Sequence, residues 1–219
     1  MTRCWPALLA LGAILTIPGA PPPLAAGPTR EQALTALADA GDVDNRRRGV
    51  LALGETGLMT DLPQLAGALR DADRLVRAFA ENAMWQVWSR SGDENVDRLF
   101  AVGVEQMSAR RGELAVETFT EIVQRHPEFA EGWNKRATVY YLLGEYQKSL
   151  TDCDEVMKRN ASHFGALSGY GQIYFRLEQY AKAIEYWRRA LKVNPNLDGV
   201  EQNIEGAEQL LKEKRGRSI

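Results

Sequence analysis

The residues most easily turned to chemistry in this 219-residue chain are two histidines and one cysteine set between two aspartates. His126 stands next to Pro127, and His163 follows Ala161 by two positions. Neither has cysteines or acids at metal-ligand spacing. Both read as solvent-facing turn histidines rather than as ligands or bases. Asp152 and Asp154 straddle Cys153 in a helical stretch, so their side chains leave on different faces and cannot share one proton. No glycine-rich phosphate loop, Gly-x-Ser-x-Gly elbow or Cys-x-x-Cys pair occurs. Asn160-Ala161-Ser162 is a glycosylation sequon, relevant only in a secreted protein of a glycosylating host. The expectation is no catalytic residue, no cofactor and no metal, which leaves binding.

The elements that would present a binding surface repeat with a step of 34 residues. Trp133 and Leu167 share a phase, as do Ala137 and Gly171, Tyr140 and Tyr174, Ser149 and Ala183, Cys153 and Trp187, Val156 and Ala190, and Ala161 and Pro195. One step back lie Leu99, Gly103, Ala115, Phe119, Ile122 and Pro127, with Gln106 where the later units have tyrosine. Large residues at these phases suit the seam between two helices. Small ones suit close backbone approach, and proline just past the second helix stops it. Cys153, in phase with Phe119 and Trp187, is expected to be a buried, inert thiol. Gly144 marks the inner turn of the second unit, Gly112 is displaced by two residues in the first, and Glu178 takes the place in the third.

This pattern resembles the tetratricopeptide repeat (TPR), three units over 95–196. The resemblance implies stacked helical hairpins with a concave groove lined by the first helix of each. The groove positions fall on Phe100, Val104 and Met107, then Asn134, Thr138 and Tyr141, then Ser168, Gln172 and Phe175. Each trio is spaced by three or four residues and so shares one helix face. Members of the family that grip acidic chaperone tails hold a carboxylate with Lys, Asn and Arg. Here Phe100 and Val104 replace the first of these, and Ser168 and Gln172 stand where the last would be. An apolar or neutral extended segment, or a partner helix, suits the groove better.

Upstream, over 27–92, Arg47-x-x-Val50-x-x-Leu53-Gly54 is echoed by Arg77-x-x-Ala80-x-x-Ala83-Met84. Leu62-Pro63, Leu65 and Leu69 form an apolar stripe, and Asp71-Ala72-Asp73 precedes a helix start at Arg74. These features resemble HEAT-like repeats, and Leu75, Phe79, Met84 and Trp88 are expected to pack on the first TPR helix. A polar linker spans Ser89–Glu94. Over 197–214, Val200, Ile204, Ala207, Leu210 and Leu211 share one face of a helix that would cap the last unit. The tail 215–219 is expected to be disordered. The fold class expected is therefore all-α, a helical-hairpin solenoid of HEAT-like repeats, three TPR units and a C-terminal capping helix.

Composition is ordinary for a globular chain, 45% hydrophobic and 26% charged, and a formal net charge of −2 argues against nucleic acid as a partner. The clusters Arg46–Arg48 and Lys212–Arg217 read as solvated surface. Residues 1–26 read as a signal peptide, with Arg3, an apolar run from Trp5 to Ile17 and cleavage after Ala26, or less well after Ala20. The apolar run is short of the ~20 residues a bilayer span requires. The expectation is a periplasmic protein with no membrane span after leader removal, the alternative being an anchor left uncut. Removal leaves Cys153 alone, so no internal disulfide can form. The function expected is a scaffold or adaptor for a protein or peptide partner, with oligomeric state open. A transient envelope assembly factor, or an enzyme with an unrecognised site, are the alternatives.

Overall fold

The computed structural model describes residues 27–216, so the leader assigned to 1–26 lies outside the described residues. Among the described residues eleven α-helices follow one another with no strand. Thr29 opens α1 (Arg30–Leu37) with a capping box to Gln32, and Asp42 opens α2 (Val43–Thr56) by accepting the Asp44 and Asn45 amides. A 3₁₀ turn (Met59–Asp61) leads into α3 (Leu62–Ala68), and Asp73 caps α4 (Arg74–Trp88) through the Val76 N–H, as the acidic start signal implies. Leu53, Leu65, Leu69, Val76, Ala80 and Met84 close one apolar core between these two hairpins.

The arginine cluster is not simple solvated surface. Arg46 forks onto Asp71 at 2.8 and 3.1 Å, and Arg47 onto Asp73 at 3.0 and 2.6 Å, tying α2 to the start of α4. These hydrogen bonds hold the carboxyls of Asp71 and Asp73 below the usual carboxylate range.

After a short turn, Asp93 caps α5 (Glu94–Ser108), which pairs with α6 (Gly112–Arg125). The next hairpins are α7 (Ala130–Leu142) with α8 (Tyr146–Arg159) and α9 (Phe164–Arg176) with α10 (Tyr180–Val193). Helix α11 (Val200–Gly216) packs on α10 through Val200, Ile204 and Ala207. It runs two residues further than expected: 215 and 216 are helical, and 217–219 lie outside the described residues.

The repeat is visible in backbone geometry. Arg110, Gly144 and Glu178 all take the left-handed conformation, with φ of 57°, 78° and 56°. The inner turn therefore keeps its step, and Gly112 is not its displaced counterpart. Gly112 starts α6 instead, where an added β-carbon would sit 2.8 Å from Leu143 Cδ2. The small residues lie at the seams: Gly103 faces Phe119, Ser149 Oγ donates to the Ala137 carbonyl at 2.7 Å, and Gly171 faces Trp187. Arg136 forks onto Asp152 at 2.8 Å to both oxygens and joins α7 to α8.

Two packing expectations change. Trp133 is half-buried rather than interior: its Nε1 donates to the Pro127 carbonyl at 2.9 Å, and the guanidiniums of Arg136 and Arg159 lie over its ring. Trp187 is buried as expected. The residues of α4 do not pack on the first TPR helix. Leu75 is 39% exposed, while Phe79, Met84 and Trp88 belong to a core completed by Phe164, Val193 and Leu197 of the third repeat and its following turn. The cause is the amphipathic face of α4, which carries Trp85 and Trp88 one turn apart and finds its aromatic partners at the start of α9.

Candidate functional site

Helices α7 and α9 lie side by side, and their facing surfaces define a small cleft of about 50 Å³. Asn134, Ala137, Thr138 and Tyr141 line it from α7, and Gly165, Ala166, Gly169, Gln172 and Ile173 from α9, with Ser149 and Cys153 at its base. Four of the nine groove positions, Asn134, Thr138, Tyr141 and Gln172, thus meet in one place. Thr138 and Gln172 are exposed, and Tyr141, Ser168 and Phe175 are half-buried. The Tyr141 hydroxyl accepts from Arg176 Nε at 3.2 Å, and Phe175 leans on Tyr180 and Trp187.

The first-repeat trio is not a free surface. Phe100 is buried edge-on against Phe119 and Phe129, and Val104 and Met107 pack on the same cluster. Phe100 fills the interior of its hairpin, and Val104 and Met107 are half-buried against it. Asn134 is also committed: its Nδ2 donates to both carboxylate oxygens of Glu131 at 3.1 Å.

The least anticipated group is His163. It is not solvent-facing; its exposure is 0%, and so is that of Glu131, whose Oε2 lies 2.9 Å from His163 Nε2. His163 Nδ1 accepts the Ala166 N–H at 3.1 Å, so the ring proton belongs on Nε2 and is donated to the carboxylate. Lys135 Nζ pairs with the other oxygen at 3.0 Å. Burial pushes the Glu131 carboxyl up, but the hydrogen bond from His163 and the hydrogen bond and charge of Lys135 outweigh it, leaving the group below its ordinary value. The lid over this cluster is α4: Trp88 stacks on His163 at 4.2 Å and Trp85 meets it edge-on at 5.5 Å. The signal available in the sequence was Trp85, three residues before Trp88 and so on the same face of its helix.

Cys153 is buried, and burial with the nearby Asp152 and Asp154 charges pushes its thiol up to about 12, so it is no nucleophile at neutral pH. Asp154 accepts the Tyr170 hydroxyl, and Asp152 serves Arg136, so the two aspartates go to separate structural partners. Among the described residues no group of three or more His, Cys, Asp or Glu could hold a metal ion. No helix of the described residues is long and apolar enough to cross a membrane.

Comparison with known proteins bears on one segment of the chain. Residues 103–163 and 164–197 each match tetratricopeptide repeat models, so this segment is built of TPR units, a protein–protein interaction fold. The matched models are repeat models and none is a catalytic family. No comparison supports HEAT-like units in α1–α4. A TPR repeat-containing protein of Rhizobium etli is 31% identical over 126 residues, 58% of this chain and 61% of that protein. Hsp70-Hsp90 organizing protein 1 of Glycine max is 30% identical over 106 residues, 47% of this chain but 18% of that protein. This chain therefore spans about three fifths of the first relative and under a fifth of the second. Among solved structures, the first TPR of Spaghetti (RPAP3) bound to an HSP90 peptide superposes with a TM-score of 0.53 at 21% identity, covering 54% of this chain and 94% of that one. MamA protein gives 0.51 at 17% identity, over 78% and 85%. At these identities the solved structures speak to the fold alone.

Proposed function

We propose that this chain is an exported adaptor that holds a segment of a partner protein or peptide on the face of α7 and α9 and performs no chemistry of its own. The observation that supports this reading is the α7/α9 cleft, where the exposed side chains of Thr138 and Gln172 lie beside the half-buried ring of Tyr141, with half-buried Phe175 one turn on from Gln172. Exposed polar side chains beside an aromatic ring are what a bound extended chain uses for register and contact. Of the nine groove positions, Thr138, Tyr141, Ser168, Gln172 and Phe175 are the ones we assign to the partner. Phe100, Val104, Met107 and Asn134 support them from behind.

Export to the periplasm rests on the apolar run Trp5–Ile17 and the small residues up to Ala26, with an uncleaved anchor as the alternative. We read α1–α4 as two short HEAT-like hairpins, a view supported by the Leu62-Pro63 entry and the Arg47–Asp73 pair. Capture of acidic chaperone tails, suggested by the relatives' names, is disfavoured because Phe100 and Val104 bring no cation and the Asn134 amide is spent on Glu131. Affinity purification of the intact chain from an envelope fraction tests the reading. One stoichiometric partner supports an adaptor, many substoichiometric clients indicate a transient assembly factor, and turnover by the chain alone overturns both.

A further inference from the structure

We propose that α4 is the resident occupant of one lane of the α7/α9 face, so that an incoming chain is confined to the other lane, lined by Thr138, Tyr141, Gln172 and Phe175. This rests on the reading of that face as the partner surface and specifies which half of it is open.

Trp85 is the anchor. Its ring meets Phe164 edge-on at 5.3 Å and carries the Lys135 ammonium 5.3 Å from its centroid, so it lies against the first turn of α9 and the first half of α7. Gly165 makes this seat possible. A β-carbon there would fall inside contact distance of Trp85 Cη2 and 3.1 Å from Cζ2. Gly165 also lines the cleft, so the indole sits directly beyond the cleft's end.

The other end of the module is clasped to the turn after the third repeat. Arg70 donates to the carbonyls of Lys192 at 2.5 Å and Val193 at 3.2 Å, and Arg77 Nε donates to Asn196 Oδ1 at 3.0 Å. Asn194 Nδ2 donates to Glu81 Oε2 at 3.0 Å, and Asn196 Nδ2 to the Leu69 carbonyl at 2.7 Å. Helix α4 therefore runs across the starts of the first helices of repeats two and three, held at both ends.

A free chain competes poorly for this lane. Lifting α4 would expose Phe164 and the rings of Trp85 and Trp88 that cover it to water, and that loss of apolar burial opposes release. The connection to α5 is a handful of residues, so the tethered helix is always present at an effective concentration of about millimolar or more. The lane over the second halves of α7 and α9 has no such cover. It offers a hydroxyl, an amide and two rings, with Arg176 as its cation and no carboxylate among its lining residues. An extended segment with apolar side chains and one acidic group fits it.

Site-specific photo-crosslinking in cells producing the full chain tests this, with a short diazirine amino acid placed in turn at Lys135, Thr138 and Gln172. The expected footprint is a label on α4 of the same chain from position 135, and adducts to another protein from 138 and 172. Trp85→Ala should extend the intermolecular adducts to position 135, whereas Trp85→Phe should keep the internal label. Adducts to another protein from 135 as readily as from 172 in the wild type would overturn the occupancy of α4 and leave the partner surface standing. A folded Trp85→Ala chain whose footprint does not spread would equally overturn it. Absence of intermolecular adducts at all three positions would sink the partner surface itself. If Trp85→Ala melts without cooperativity, the wild-type and Trp85→Phe footprints decide.

Discussion

The seam between α9 and α10 offers a test whose sign reverses with context. Gly171 is in the middle of α9, where alanine would ordinarily stabilise the helix by up to about 1 kcal/mol. Here the added methyl would fall inside contact distance of Trp187 Cδ1 and Nε1 and 2.7 Å from Cε2. A buried indole ring cannot swing aside, so overpacking should outweigh propensity and Gly171→Ala should cost about 1–3 kcal/mol. Trp187→Ala alone should cost about 3–5 kcal/mol, the usual range for emptying a large aromatic site. In that background the obstacle is gone and Gly171→Ala should become neutral or stabilising by up to about 1 kcal/mol. The coupling energy, about 1–4 kcal/mol in favour of the double variant, is above the additivity error of distant sites. Urea unfolding followed by far-UV circular dichroism measures all four corners of the cycle. Additive costs would refute the seam packing from which the whole repeat is argued.

Four further outcomes follow from other parts of the molecule. The carboxyls of Asp61, Asp71, Asp73 and Glu131 are held below their ordinary values of 3.8 and 4.5, so the unfolded chain binds more protons in acid. Their stabilisation is complete above those values and is lost progressively as pH falls from them through the lowered native-state values, so denaturant midpoints should be flat near neutrality and drop below about pH 4.5; a midpoint unchanged down to pH 3 contradicts these pairings. Arg110→Gly should stabilise by about 1 kcal/mol, since Arg110 holds a φ of 57° that costs a side-chain-bearing residue. Cys153, assayed by peptide-mapped mass spectrometry, should resist iodoacetamide in the native state and react at the rate of global opening. Glu131→Gln should lower stability by about 1–3 kcal/mol by weakening charged hydrogen bonds from His163 and Lys135, read as a lower urea midpoint at pH 7.

The repeat was legible because its signal is local and periodic. The pairs Gly171–Trp187, Gly103–Phe119 and Ala137–Ser149 lie within a single hairpin, and each occupies the phase the step assigns to it. The end of every second helix was readable for the same reason, from Pro127, Ala161 and Pro195. What the sequence hid was contact at long separation. Nothing near His163 distinguishes it from a turn residue, because its neighbours Trp85 and Trp88 come from a helix some seventy-five positions earlier. Likewise Gly165 has no role within its own repeat, and its purpose is visible only once Trp85 lies on it. Phe100 failed as a groove residue for a simpler reason. A phenylalanine at a groove phase satisfies the same helical spacing whether it faces a partner or Phe119 and Phe129, and periodicity cannot choose between them.

The most direct measurement is partner recovery by the intact chain carrying Thr138→Lys together with Gln172→Lys, compared with wild type. Both positions are exposed, so the folded state should change by no more than about 0.5 kcal/mol per substitution. The expected result is an unaltered melt with loss of the stoichiometric partner, because two ammonium groups would fill the cleft between α7 and α9. An unaltered melt with the partner recovered in full yield would show that the binding surface lies elsewhere on the molecule.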